Sequence, residues 1–435
     1  MQTAAARAIG NLVRAGSDGA RETFGYYSKS GKDERRLIGA SFFMGAVAAA
    51  YWYILILYLD ALEFGSVEIG LILGIGSIVG IVSLLFSGVL ADRFGRKKLL
   101  ILGLAGDVIG LALFLSEKNF AIFVLASSVA NFSASIISPS LMALLAGKTT
   151  TSRVKYLFGL QSFSNQMGMT IAALAGMFLP SLIAVDASTA YWYVIFATVI
   201  IGVAPVILTA FTKDERDDGS DAITFRGIVR SFDSRVKKIF VMYSIQNVFI
   251  GLGAGILIPW FPLIFKEGMA ASDTELAIIF ALSNLAIAFG WFIVPKFAEF
   301  RGSVILVTVC QFASIAVMMA IPYAPFLALA AVFYVLRNLL MLVPIPVLNA
   351  YLMNIVPANI RATFLALTAI AWTIPFAIAE SVSGYLWADD YTRVLPFFIC
   401  CVLYVVATLI FYLYFRNISE PVDAPMSVRD AGKMI

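Results

Sequence analysis

Residues 69–98 read IGLILGIGSIVGIVSLLFSGVLADRFGRKK, and this stretch indicates the fold class of the chain. Its first part, Ile69–Ala91, is an uncharged apolar run that exceeds the ~20 residues a helix needs to cross the hydrocarbon core of a bilayer. Its second part, Asp92–Lys98, consists almost entirely of charged residues and glycine. An apolar run that ends in basic residues is typical of a membrane-spanning helix that stops at the membrane surface.

Similar apolar runs recur along the chain. They include Leu37–Leu59, Leu99–Leu115, Phe120–Ala146, Ile239–Phe265 and Val394–Phe415. Hydrophobic residues make up 61% of the chain and charged residues 13%, against roughly 45–50% and about 25% in a soluble domain. Because backbone amides in lipid must pair within their own segment, runs without strand-like alternation must be helices. The sequence therefore predicts an all-α integral membrane protein.

We predict twelve spans in two groups of six. Residues 1–36 form a cytoplasmic N-terminal tail and residues 416–435 a cytoplasmic C-terminal tail. Residues 37–211 and 238–415 form two six-helix bundles, joined by a linker at 212–237. In that linker Phe225, Ile228, Val229 and Phe232 have the spacing of a short amphipathic helix, and an irregular linker is the alternative.

The basic residues indicate the orientation. With the N-terminus in the cytoplasm, only Lys118, Lys266 and Arg393 of the 31 Lys and Arg residues fall on the outside, and Arg337 alone falls within a span. This distribution follows the positive-inside rule. We therefore expect a multi-pass protein of the cell membrane with both termini in the cytoplasm.

The two halves of the chain resemble each other. GVLADRFG at Gly88–Gly95 aligns with PKFAEFRG at Pro295–Gly302, 207 positions later, so that Gly95 matches Gly302. A repeat of six spans in the same orientation is typical of transporters whose halves are related by an axis along the membrane normal.

Several kinds of chemistry are excluded by composition. The chain has no histidine, and its cysteines, Cys310, Cys400 and Cys401, lie inside apolar runs without metal-ligand spacing. It also lacks a phosphate-binding glycine-lysine loop, so that ATP does not drive it. We expect a protein that is not an enzyme, needs no cofactor or metal, binds no nucleic acid and acts as a monomer.

The segment Gly88-Val-Leu-Ala-Asp92-Arg93-Phe-Gly95-Arg96-Lys97-Lys98 resembles the loop signature of the major facilitator superfamily. The resemblance implies a fold of two pseudo-symmetric six-helix bundles that alternate access to a central substrate site. It also implies that Gly88, Asp92, Arg93, Gly95 and Arg96 act as a conformational motif, with Asp92 beside the N-terminus of the eleventh span. There the carboxylate would meet the positive end of a helix dipole.

Two departures separate the chain from family members that resemble drug/proton antiporters. No acidic residue lies between Glu117 and Asp186 to pair with the motif arginine, and Ala173 stands where the antiporter pattern has proline. Membership of a drug or metabolite exporter subgroup is therefore only suggested.

Three ionisable residues fall toward the centres of predicted spans, where each costs at least ~2.5–3.5 kcal/mol on insertion scales. Arg337 in the tenth span is predicted to hold an anionic substrate group or a carboxylate, with a structural ion pair as the alternative. Glu380 in the eleventh span is the leading candidate for proton coupling, with an interhelical hydrogen bond as the alternative. Asp107 is the second candidate for coupling, although the resemblance places the third span away from the cavity and so favours a structural role.

Neutral polar and aromatic residues at span centres are candidate substrate contacts, and many such residues form interhelical hydrogen bonds instead. Besides Arg337, the predicted substrate-binding residues are Asn131, Gln161, Asn165, Gln246, Asn247, Asn338 and Trp372.

Together these features predict a secondary active transporter, coupled to protons, that moves a small drug-like or metabolite solute. Its expected partners are that solute, protons and the lipid bilayer. The alternatives are an uncoupled uniporter, an importer of a sugar or organic anion, and a transporter-fold sensor or scaffold.

Overall fold

The computed structural model describes residues 25, 30–148, 151–182, 185–213, 233–357 and 360–418, without the side chains of 85, 87–94, 151–156, 292–301 and 362–363. In these ranges the regular structure is helical, without strands. The described ranges contain twelve long helices, which in chain order are α1 (Lys32–Ala61), α2 (Ser66–Phe94), α3 (Arg96–Leu113), α4 (Phe120–Gly147), α5 (Thr151–Leu182), α6 (Ala187–Ala210), α7 (Ser234–Gly268), α8 (Asp273–Arg301), α9 (Ser303–Ala320), α10 (Leu327–Ile355), α11 (Arg361–Trp387) and α12 (Leu395–Phe415).

Ten of these helices are long and apolar enough to cross a membrane by length and composition. The other two are α3, which holds four charged residues, Arg96, Lys97, Lys98 and Asp107, and α5, whose hydropathy is lowered by the polar run Gln161–Gln166. The predicted fold class, an all-α membrane protein of two pseudo-symmetric six-helix bundles, is confirmed.

The internal repeat is visible in the helix bounds. Adding 207 to the bounds of α2, Ser66–Phe94, gives those of α8, Asp273–Arg301, and the same shift carries α3 onto α9. Gly95 and Gly302, which precede α3 and α9, have φ angles of 83° and 81°. Glycine adopts this conformation without steric cost. The predicted alignment of Gly95 with Gly302 is therefore confirmed in the backbone.

Helix packing defines two halves and the contacts between them. In the first half α1 packs on α5 and α6, and α4 packs on α2 and α3; in the second half α7 packs on α11 and α12. The halves meet where α2 lies along α11 and α5 lies along α8. Glycine permits the first of these contacts, because a Cβ on Gly74 would collide with Ser381 and one on Gly384 with Ser66.

The hydrophobic cores show which end of the molecule is closed. We call the end where α1 begins and α12 ends the terminal face, and the opposite end the far face. At the far face one core combines both halves, including Leu57, Phe123, Trp260 and Trp387. Toward the terminal face the described halves have separate cores, one around Leu37 and Leu144 and another around Tyr351, Phe364 and Phe415. Among the described residues, the hydrophobic core that the two halves share therefore lies at the far face.

Irregular turns interrupt the helices that face the centre. Residues Ala50–Ile54 of α1 form a π-helical turn, a feature frequent at functional sites. In α7, Pro259 and Pro262 accompany a change to 3₁₀ geometry, and α10 is interrupted at Pro344. Proline cannot donate the helical hydrogen bond, which accounts for these interruptions.

Some predictions fall outside the described residues. These are most of the N-terminal tail, the amphipathic linker helix at 225–232 and the C-terminal residues 419–435. The side chains of Asp92 and Arg93 are also outside the described part of the structure.

Candidate functional site

Two cavities lie side by side near the middle of the molecule. Trp52 of α1 and Trp372 and Phe376 of α11 line both cavities and form an aromatic partition between them. The rings of Trp372 and Phe376 stack with their centroids 4.9 Å apart, and Trp52 meets Phe376 edge to face at 6.5 Å. The π-helical turn at Ala50–Ile54 holds Trp52 and Tyr53, and these two residues line the second cavity together.

The first cavity, which we call the acidic cavity, has a volume of about 390 Å³. Helices α1 to α5 and α11 line it, and its lining residues include Asp107 and Glu380. Of the predicted substrate contacts, Asn131 and Asn165 line this cavity. Asn131 donates to the Ser127 carbonyl at 3.0 Å, and Asn165 donates to the Ser41 carbonyl at 3.2 Å.

Glu380 lies at the contact between the two halves. Only 6% of its surface is exposed, and its Oε2 accepts a hydrogen bond of 2.6 Å from Ser77 Oγ on α2. Near the same contact, a Cβ on Gly70 of α2 would come within 3.2 Å of the Glu380 carbonyl oxygen, so the two backbones lie close together. No cationic side chain in the described part of the chain pairs with Glu380. A proton gained or lost by the Glu380 carboxyl would change the charge at the contact between the two halves.

Asp107 lines the acidic cavity, contrary to the expectation that the third span lies away from it. The π-helical turn of α1 places Tyr51 opposite Asp107, and the Tyr51 hydroxyl donates to the Asp107 backbone carbonyl at 3.2 Å. The position of Asp107 at the cavity has a steric cause. Gly106 and Gly110 of α3 pack tightly on Ser133 and Ala130 of α4, which brings this part of α3 close to the centre.

The second cavity, which we call the cationic cavity, has a volume of about 500 Å³ and belongs mainly to the second half. Its charged residue is Arg337 of α10, which is only 3% exposed. The guanidinium donates from Nη1 to Asn338 Oδ1 at 2.6 Å and from Nη2 to the Tyr404 hydroxyl at 3.4 Å. Both acceptors are neutral, and no carboxylate of the described residues pairs with this arginine.

Most of the remaining predicted contacts surround the cationic cavity. Asn338 donates to Ser283 Oγ at 2.9 Å, and Asn247 donates to the Thr368 carbonyl at 3.1 Å. Gln246 lines this cavity, and both polar atoms of its side chain are buried without a hydrogen-bond partner. Gln161, in contrast, lines neither cavity.

Sequence reasoning missed Ser77 and did not select Asn284. Asn284 of α8 accepts hydrogen bonds from Tyr53 at 3.0 Å and from Gln166 of α5 at 2.8 Å, and so it joins the halves on the other side. The two residues are 207 positions apart, so that they occupy equivalent places in the repeat. A search for polar residues at equivalent positions of α2 and α8 would have found both.

Polar contacts close the far face between the halves. The Asp389 carboxylate after α11 accepts from the Ser66 amide at 2.6 Å, where α2 begins, and Ser66 Oγ donates to the Gly384 carbonyl at 3.0 Å. On the other side of the molecule Tyr191 of α6 donates to Asp273 of α8 at 2.6 Å, and Lys266 pairs with the same carboxylate at 2.7 Å.

A family profile described as Major Facilitator Superfamily matches residues 37–380, which is more than half of the chain. The chain belongs to the major facilitator superfamily. The recognised loop signature lies within the matched region, and its Gly95 has the positive φ that a tight turn requires.

Curated relatives in this superfamily match only part of the chain. The MFS-type transporter YqjV of Bacillus subtilis is 26% identical over 128 residues, which are 29% of this chain and 31% of the relative. The multidrug resistance protein MdtH of Yersinia enterocolitica is 29% identical over 122 residues, 28% of this chain and 30% of the relative. The matched region thus spans about a third of the length of these relatives.

Solved structures of the superfamily match nearly the whole fold. A mutant of the nucleoside transporter NupG superposes with a TM-score of 0.72 at 14% identity, covering 88% of this chain and 99% of that protein. A D-xylose-proton symporter gives 0.71 at 14% identity, covering 87% and 95%. A bacterial homologue of the human lysosomal transporter Spinster, in an inward-facing and unoccupied conformation, gives 0.68 at 15% identity, covering 89% and 98%. These likenesses show the shared fold.

Proposed function

We propose that this superfamily member is a proton-coupled secondary active transporter that moves a small organic solute by alternating access. The observation that carries the proposal is the position of Glu380. Its buried carboxyl belongs to one half and accepts a hydrogen bond from Ser77 of the other half, and the residue lines a cavity. Protonation at this place alters a contact that must change when the halves rock.

The conformation supports the same proposal. The cores are joined at the far face and separate at the terminal face in the described residues. In the orientation given by the positive-inside rule, with both termini in the cytoplasm of the cell, this is an inward-facing state. Rocking of the halves about the midplane would close the terminal face and open the far face.

The orientation is tested by labelling with a membrane-impermeant maleimide in intact cells. A cysteine in place of Asp390, which is exposed at the far face, reacts if that face is extracellular, whereas one in place of Ser220 in the linker does not. Labelling at residue 220 in intact cells would contradict the orientation.

Transport is tested with purified protein in proteoliposomes. A panel of metabolites and drugs is first screened for ligands that stabilise the protein against heat, and labelled ligands are then followed across the membrane with and without a pH gradient. We expect a ligand to become concentrated on one side, and the accumulation to vanish when an ionophore collapses the gradient. Binding without any flux would instead favour a sensor or scaffold, and flux without accumulation a uniporter.

A further inference from the structure

Unpaired polar atoms are concentrated around the cationic cavity. In the described part of the chain eight buried side-chain nitrogen or oxygen atoms lack a hydrogen-bond partner, and the four lining residues Gln246, Asn284, Gln311 and Arg337 hold most of them. The others belong to Ser140, Thr209 and Ser244, and none belongs to a residue that lines the acidic cavity. Each unpaired buried group costs about 1–3 kcal/mol. Because these unpaired atoms are concentrated around one cavity, we expect a ligand that binds there and forms hydrogen bonds with them.

The unpaired atoms specify the chemistry of that ligand. Three of them are donors, Gln246 Nε2, Asn284 Nδ2 and Arg337 Nε, and two are acceptors, Gln246 Oε1 and Gln311 Oε1. The terminal torsions of amide side chains rotate readily, so these atoms can turn toward a bound molecule. A ligand that satisfies them presents both acceptors and a hydrogen-bond donor such as a hydroxyl or amino group.

Charge adds a second requirement. Arg337 is almost fully buried, the acceptors of its hydrogen bonds are neutral, and it has no carboxylate partner among the described residues. An uncompensated buried cation is costly, and an anion that receives the guanidinium nitrogens relieves the cost through charge-assisted hydrogen bonds. The acidic residues Asp107 and Glu380 line the other cavity, beyond the aromatic partition.

The walls specify the body of the ligand. The rings of Tyr53 and Phe280 stack at 4.5 Å, and Tyr334 meets Phe280 edge to face at 5.5 Å, all three at the cationic cavity. Trp372 and Phe376 form the partition on the other side. A cavity of about 500 Å³ with such walls suits a compact molecule with a flat apolar part.

We propose that the cationic cavity binds an organic anion that carries a hydroxyl or amino donor on a flat apolar body, with Arg337 holding the anionic group and Gln246 and Gln311 receiving the donor. The inference names the substrate class of the proposed transporter and rests on that function. It assigns substrate recognition to the cationic cavity and leaves proton coupling to the acidic one.

The test is equilibrium binding to the full-length protein in lipid nanodiscs, followed by tryptophan fluorescence and calorimetry. The probes are 6-hydroxy-2-naphthoate, its neutral carboxamide, the corresponding aminomethyl cation, and 2-naphthoate without the hydroxyl. We expect the hydroxynaphthoate to bind at least about tenfold more tightly than the amide and the cation, as one charge-assisted contact implies. The loss of the hydroxyl should weaken binding by roughly threefold to tenfold.

Variants assign the effects to residues. Arg337→Gln should remove the preference for carboxylate over amide, and Arg337→Lys should keep part of it, because lysine retains the charge without the planar fork. Gln246→Leu should remove the advantage of the hydroxyl and leave the carboxylate preference. The matched control Arg393→Gln removes an exposed guanidinium at the far face and should change neither.

Binding of the carboxylate, the amide and the cation to the wild-type protein tests the proposed anion preference even if a variant does not fold. Equal or tighter binding of the amide or the cation would overturn the inference, as would carboxylate binding weaker than about 1 mM. A carboxylate preference that persists undiminished in Arg337→Gln would overturn the role of Arg337. Because binding is measured without a gradient, failure of proton coupling leaves this result unchanged, and failure of the carboxylate preference leaves gradient-driven flux of another solute possible.

Discussion

Ser77 Oγ of α2 donates a hydrogen bond of 2.6 Å to Glu380 Oε2 of α11, and the bond joins the two halves of the transporter fold. The same helices meet again at the far face, where Asp389 accepts from the Ser66 amide at 2.6 Å. The pair α2–α11 therefore carries one contact at a candidate proton site and another that closes the far face. Rocking of the halves must alter both.

Asp389 is predicted to stabilise the conformation that is closed at the far face. Its carboxylate lies at the N-terminus of α2, where a negative charge contributes about 0.3–1 kcal/mol. Asp389→Asn keeps the shape and tolerates the residue's φ of 58°. We expect the fraction of molecules that are open at the far face to rise roughly twofold to fivefold. Distances between spin labels on the two halves measure this fraction.

Asp390→Asn is the matched control, because the carboxylate of the exposed Asp390 interacts only with Thr392 and Arg393 among the described residues. Equal distance distributions in wild type and Asp389→Asn would contradict the prediction.

Asp92→Asn is predicted to shift the equilibrium the other way. The family resemblance places Asp92 beside the N-terminus of α11, at the terminal face, where it would brace the state that is closed there. Loss of the charge should enrich the inward-open state and slow transport without unfolding the protein. Unchanged spin-label distances together with unchanged flux would sink the prediction.

Close backbone packing of α2 on α11 gives a steric prediction. A Cβ on Gly74 of α2 would collide with Ser381 of α11, whereas one on Gly159 of α5 would meet nothing within 4 Å. Gly74→Val should therefore prevent tight closure at the far face, and Gly159→Val should be neutral. The rate of maleimide labelling at a far-face cysteine measures the difference, and equal rates in the two variants would refute it.

Arg337 and Glu380 are predicted to act independently. They line different cavities and neither has a partner of opposite charge among the described residues. If they formed a structural pair, removing both charges would restore what each single change destroys. We expect the double variant Arg337→Gln/Glu380→Gln to show both defects, weak binding and lost coupling. Recovery of transport in the double variant would mean that the two residues compensate each other.

The sequence was sufficient to predict the twelve helices, because an apolar run of membrane length has few alternatives. It was also sufficient for the alignment of the halves, since Gly95 and Gly302 need the same unusual backbone conformation. The loop signature at Gly88–Lys98 indicated the family. These predictions depend on local composition and on spacing within the chain.

The arrangement of the site could not be predicted from local sequence patterns, because it depends on how the helices pack. Whether Asp107 faces a cavity depends on how Gly106 and Gly110 seat α3 against α4, which is a packing property. Ser77 is an ordinary small residue in its own helix and becomes notable only because Glu380 lies opposite it. The division into an acidic and a cationic cavity depends on the aromatic partition, whose residues come from α1 and α11.

Proton coupling through Glu380 is tested most directly by gradient-driven accumulation of a labelled ligand in proteoliposomes that contain Glu380→Gln. Glutamine keeps the size of the side chain and cannot carry the proton. We expect the variant to bind the ligand and to exchange it across the membrane, but not to concentrate it, while the matched control Glu117→Gln in the exposed α3–α4 connection accumulates it like the wild type. Accumulation by Glu380→Gln to the wild-type level would contradict proton coupling at this residue.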